Sequence, residues 1–116
     1  MTAPFAATTA ESQPFASRRQ HARVTVALPA FLVLGGRRYP VQIVDLSAGG
    51  AKLDCGLALV AASAVVTLYW GGGSAQATVR WRQERLAGIA FAAELDPRDV
   101  ADLARRSEAL EARMRG

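Results

Sequence analysis

The chain is poor in the side chains that carry most metal and redox chemistry. It has one cysteine, Cys55, and one histidine, His21. A lone cysteine excludes an intrachain disulfide and points to a reducing compartment. One His and one Cys do not make a metal site, which gathers several such ligands around one ion. The longest apolar run, Leu57 to Val66, is broken by Ser63 and is too short to span a bilayer. The N-terminus lacks the charged and apolar regions of a signal peptide. These absences lead to the expectation of a cytoplasmic chain with no membrane insertion, no metal and no cofactor. Cys55 lies between Leu53 and Leu57 and is expected to be a buried, inert thiol. His21 is expected to be incidental rather than a pH sensor.

Lysine is nearly missing too. Of the 14 basic residues only Lys52 is not arginine. Arginine binds phosphate in a fork and stacks on rings, which lysine does not. The net charge of +4 is unevenly placed: residues 1–43 hold five arginines and one glutamate, and the rest of the chain balances. That asymmetry favours an anionic ligand near the first third. At 116 residues, 51% of them apolar, the chain has the size of one domain and enough material for a core.

Residues 1–17, rich in Ala, Thr, Ser and Pro, show no sustained period and are expected to be a flexible tail. A two-residue period then begins. Val24, Val26 and Leu28 alternate with Thr25 and Ala27, with Pro29 interrupting the strand or marking its edge. Gly35-Gly36 suits a turn, and Tyr39, Val41 and Ile43 form a second strand. Asp45 to Gly50 reads as a turn or bulge in which Gly49-Gly50 permits positive φ. Ala51, Leu53 and Cys55 form a third strand. Val65 to Trp70 is a fourth, apolar on both faces. Gly71 to Ser74 is expected to be a loop. Ala75, Ala77, Val79 and Trp81 share one face of a fifth strand, which assigns Trp81 to the core and points Arg80 outward. Ile89, Phe91, Ala93 and Leu95 form a sixth. Six such strands imply a mainly β antiparallel barrel or sandwich.

The ending differs. Asp96 suits an N-cap, Pro97 the first helical position, and Asp99 the positive end of a helix. Val100, Leu103, Leu110 and Met114 recur at helical spacing, so 96–116 is expected to be one amphipathic helix. It either closes the barrel or offers a surface to a second copy or a partner.

Two short stretches carry the chemistry. Arg18-Arg19-Gln20-His21-Ala22-Arg23 offers three guanidinium groups. Asp45-Leu46-Ser47-Ala48-Gly49-Gly50 offers a carboxylate, a hydroxyl and two glycines. Guanine presents a donor pair on one edge that Asp45 suits, and an acceptor pair on the other that Arg18 or Arg19 suits. Arg23 suits phosphate or stacking. Ser47 can donate to phosphate or accept from the guanine amine, and Gly50 lets backbone come close. Gly49, Arg80 and Trp81 are secondary candidates. No base stands near Ser47, so no catalytic residue is assigned and enzymatic activity is not expected.

The joint pattern, Arg-x-x-x-Arg at Arg19 and Arg23 followed by Asp-x-Ser-x-x-Gly at Asp45, Ser47 and Gly50, resembles the PilZ domain family of bacterial cyclic di-GMP receptors. Val79-Arg80-Trp81 and Gly88-Ile89-Ala90-Phe91 look like that family's last two strands. The resemblance covers about residues 17–95. It implies a six-stranded antiparallel split barrel at 18–95, with ligand on its outer face and the arginine arm wrapping over it. Arg18 stands where the resemblance implies an intercalated ligand dimer, so two ligands per chain are expected. The implied role is a receptor whose arm orders on binding and alters contact with an unidentified downstream protein. Two alternatives stand beside it: a PilZ-like adaptor that uses no nucleotide, and a small basic barrel binding single-stranded nucleic acid. The clustered rather than tracked charge disfavours the last.

Overall fold

A computed structural model describes residues 23–56, 58 and 60–115. Arg18, Arg19 and His21, with the expected tail, lie outside the described residues. Six strands precede one helix: β1 (Val24–Leu34), β2 (Arg37–Leu46), β3 (Gly50–Asp54), β4 (Val65–Trp70), β5 (Gly73–Gln83), β6 (Leu86–Phe91) and α1 (Pro97–Arg115). Every pairing is antiparallel and the order β1-β2-β3-β6-β5-β4 closes into a barrel. The alternative of a sandwich is thereby excluded, since β1 pairs with both β2 and β4 and no free sheet edge is left.

Alternation explains the core. Leu32, Ile43, Leu53 and Leu68 are fully buried, with Val66 and Val79 close behind. Cys55 is among them, and burial pushes its thiol pKa up, Arg82 opposing and Asp54 adding. Several boundaries differ from the sequence reading. β1 runs straight through Pro29, which is exposed and precedes the Phe31–Val33 stretch that pairs with β4. An imino nitrogen is tolerated where that ladder has not begun. β5 starts at Gly73, so only Gly71-Gly72 forms the turn, with Gly72 at φ +107°. β6 ends at Phe91 rather than Leu95, because the chain there leaves its partners to bond elsewhere: the Leu95 N–H donates to the Ala48 carbonyl at 2.8 Å. β4 buries only one face; Val65 and Tyr69 face outward.

The pairing register shifts at three places. β1 carries an extra residue between Thr25 and Leu28, β2 one between Ile43 and Asp45, and β5 one between Val79 and Trp81. The first bulge removes the Ala27 N–H from simple cross-strand pairing. Helix α1 supplies the acceptor: Ser107, itself buried, receives that N–H on Oγ at 2.8 Å. Around this bond Val100 and Leu103 bury against the barrel. Asp96 caps the helix, its Oδ1 accepting from the Arg98 N–H at 2.8 Å. Met114 does not join the packed stripe and is largely exposed, since the helix outruns the barrel.

Two outcomes follow from this packing. Ser107→Ala leaves a half-buried N–H unpaired and is expected to lower unfolding free energy by about 1–2 kcal/mol in urea titration. Cys55 is expected to react with a soluble disulfide reagent only at the rate of unfolding; fast labelling of the folded protein would contradict its burial.

Candidate functional site

The bulges in β2 and β5 decide which side chains leave the barrel. Along β2 the buried residues are Val41 and Ile43, then Leu46. The extra residue shifts the inward set by one, so Asp45 turns out and Leu46 turns in. Along β5 Ala77 and Val79 are buried, and then Arg80 and Trp81 are both exposed, Trp81 by 39%. This corrects the assignment of Trp81 to the core. The parity reverses before it, and the next inward residue is Arg82. Arg82 closes that end of the barrel by donating to the carbonyls of Ala58 at 2.9 Å and Leu86 at 3.1 Å.

Register then aligns the outward residues. Thr25 pairs with Asp45, Asp45 with Lys52, Lys52 with Gly88, and Gly88 with Trp81. One row therefore crosses five strands. At about 4.8 Å per strand, Asp45 and Trp81 stand roughly 14 Å apart along it. Gly88 has no side chain because the Trp81 indole lies over it: a Cβ there would sit 2.1 Å from Trp81 Nε1. Gly50 is glycine for a different reason from the one its sequence suggests. Neither Gly49 nor Gly50 takes a positive φ. A Cβ on Gly50 would instead lie 2.3 Å from the Ile89 carbonyl oxygen, so β3 and β6 can approach only without it.

Over this row lies an open groove of about 670 Å³. Among the described residues, the cations Arg23, Lys52 and Arg80 line it, with Ser47, Gly49, Gly50 and Trp81, and no carboxylate does. Asp45 stands beside it rather than in its wall, with its Oδ2 3.6 Å from an Arg23 guanidinium nitrogen. Arg23 is largely exposed and Asp45 mostly covered, so the carboxylate is the fixed member of the pair. Ser47 is buried and builds its own turn. Its Oγ accepts from the N–H groups of Gly49 at 3.3 Å and Gly50 at 3.2 Å, and donates to the Gly50 carbonyl at 3.3 Å. Its backbone N–H meets the same carbonyl at 2.9 Å.

Of the residues singled out in the sequence, Arg23, Ser47, Gly49, Gly50, Arg80 and Trp81 meet at this groove and Asp45 adjoins it. Sequence reasoning passed over Lys52 and Gly88. The outward phase of Lys52 beside Gly50 was a readable sign. Gly88 was not, because its purpose depends on a tryptophan that the bulge redirects. A groove with three cations and an aromatic face can hold an anionic, planar ligand.

The two glycines are expected to respond differently to alanine. Gly50→Ala meets backbone and should cost about 1–3 kcal/mol or more in urea unfolding. Gly88→Ala meets mainly an exposed ring, so stability should change by less than about 1 kcal/mol while Trp81 emission shifts. The reverse order would contradict the close approach of β3 and β6.

The PilZ domain profile matches residues 17–109. Among solved structures, the PilZ domain of CeSA from a cellulose-synthesizing bacterium superposes with a TM-score of 0.53 at 17% identity, covering 77% of this chain and 97% of that one. The Bacillus subtilis inhibitor of motility MotI/DgrA superposes with a TM-score of 0.55 at 17% identity, covering 85% of this chain and 54% of that one, so the chain spans about half its length. No curated protein matches by sequence. No described helix is long and apolar enough to cross a membrane. With the matching profile, the closed six-stranded barrel and both paired motifs in place, the chain belongs to the PilZ domain family.

Proposed function

We propose that the protein is a non-catalytic receptor for cyclic di-GMP, and that the groove over β3, β6 and β5 is where the ligand rests. The observation that carries this reading is a groove whose described lining is cationic and free of carboxylates, framed by Arg23 on one side and the Ser47–Gly50 turn on the other. The ligand has two phosphates and two guanines. Arg23 and Lys52 suit phosphate, the Trp81 face suits a guanine ring, and Arg80 suits the O6/N7 edge.

In this reading Asp45 has two tasks. Without ligand it holds Arg23; with ligand, Arg23 swings to a phosphate and the carboxylate accepts from the guanine N1–H and amine. Ser47 keeps Gly49 and Gly50 in the conformation that shapes the wall. Arg18 and Arg19 close over the ligand from the arm, which orders as it does so, and Arg18 admits a second, intercalated ligand. The ordered arm with its ligand is the surface a downstream protein reads.

The nucleic-acid alternative gains one feature from the exposure of Trp81. The other exposed aromatics do not extend it. Phe31 and Tyr69 pair on the β1–β4 side of the barrel, and the Phe31 face is already covered by Arg38, 4.6 Å above the ring centroid. Stacking platforms for single strands follow a track, which these rings do not form.

Calorimetric titration with cyclic di-GMP, with GTP and cyclic di-AMP as controls, tests the proposal. Binding selective for cyclic di-GMP is expected. Arg19→Ala, Arg23→Ala and Trp81→Ala should each weaken it, and loss of one bidentate guanine contact costs about 1–3 kcal/mol. Arg18→Ala should change the stoichiometry from two to one. Amide exchange across residues 15–23 should slow on saturation. Absence of any binding by the unaltered chain would leave the adaptor reading in its place.

A further inference from the structure

A second groove lies away from the first, between α1 and the barrel, with a volume of about 360 Å³. Leu28, Leu103, Trp70 and Leu110 form its apolar surface, and Arg106 and Arg113 stand at its rim, with no acidic residue among the described lining residues. Leu28 and Leu103 belong to the core, so the groove opens directly onto it, while Trp70 and Leu110 are only partly covered.

The three consecutive glycines serve this place. A Cβ on Gly73 would lie 2.8 Å from Trp70 Nε1, and one on Gly72 would lie 3.0 Å from an Arg106 guanidinium nitrogen. The Gly71 carbonyl accepts from Arg106 Nη1. The turn that looks like a bare loop in sequence is thus the seat on which an indole and a guanidinium are held in set positions. Asp102 also neighbours Arg106, at 3.7 Å, on the helix side. Arg113 has no ion-pair partner among the described residues.

We propose that this groove docks an acidic, apolar peptide segment of another protein, one or two large hydrophobic side chains entering between Trp70 and Leu110 and flanking carboxylates meeting Arg106 and Arg113. Charge complementarity selects this occupant. Arg113 is, among the described residues, an unpaired cation at the rim and Arg106 is already satisfied in part by Asp102 and Gly71, so the channel rejects a basic segment and leaves a purely apolar one with the Arg113 charge to desolvate. Preset side chains lower the ordering cost of binding. The site stands on its own geometry and does not depend on nucleotide binding at the first groove.

The test uses the full chain carrying Trp81→Phe, so that Trp70 is the one tryptophan. The probe is a synthetic peptide alternating Glu and Asp with a central Leu-Phe pair. Its controls replace the acidic residues by Lys, or the Leu-Phe pair by Ala-Ala. The acidic Leu-Phe peptide should shift Trp70 emission saturably, and the shift should weaken with salt. Arg113→Glu should weaken binding by roughly tenfold or more, the loss expected of a contact to a charged group. Ala109→Phe fills the groove from an exposed helix position without adding a second indole and should abolish binding with α1 intact by circular dichroism. Equal binding of the Lys peptide, indifference to both substitutions, or no response from Trp70 would each overturn the proposal. A second copy occupying the groove, seen as a dimer in sedimentation that Ala109→Phe dissociates, would overturn it as well.

Discussion

Side chains alternate strictly along an extended strand, so a residue can leave the core face only if the strand gains or loses a position. The face that carries the larger groove depends on two such gains. The extra residue in β2 turns Asp45 outward and lets Leu46 replace it in the core. The extra residue in β5 turns Trp81 outward and brings Arg82 to the barrel's end. Neither change costs the core its packing. Each one moves a chemically useful side chain onto a row that Lys52 and Gly88 complete.

The charge arrangement follows from that row. Arg23 precedes β1 next to Asp45 because β1 and β2 pair there, and the carboxylate holds an exposed cation at the edge of the groove. Lys52 and Arg80 add charge from β3 and β5, and no carboxylate among the described lining residues offsets them. A pair whose cation is as exposed as Arg23 contributes little to stability. In the proposed function its value lies in placing an arginine that can exchange its partner for a phosphate at small cost. The Ser47 turn is the rigid counterpart, with its hydroxyl committed to three bonds within its own loop.

The paired motifs, the strand count and the capped helix were legible in the sequence because each is a local pattern: alternation, spacing, or an Asp-Pro start. Arg23 beside Asp45 was legible as well, since one hairpin must return the chain to that point. Trp81 was not. Its neighbours Ala77 and Val79 are core residues, and a period of two carried through Arg80 puts it with them. A bulge lies in the partner strand's register, which one strand's own residues do not report. The glycines misled in the same way. Gly50 looked like a conformational need and is a steric one, and Gly71 to Gly73 looked like slack and are close-packed against Trp70 and Arg106. What a glycine makes room for comes from distant sequence. The arm residues Arg18 and Arg19 lie outside the described residues, so their part rests on the motif.

In the proposed function the outward row from Lys52 through Gly88 to Trp81, flanked by Asp45, is the floor of a cyclic di-GMP site. Amide and indole chemical shifts, followed by NMR as the ligand is added to the full chain, test it most directly. The account predicts the largest changes at the Trp81 indole N–H and at the amides of Ser47, Gly49, Gly50 and Gly88, with the Trp70 indole unmoved. Saturable changes centred on Trp70 and α1, with Trp81 and the Ser47 turn unaffected, would contradict it.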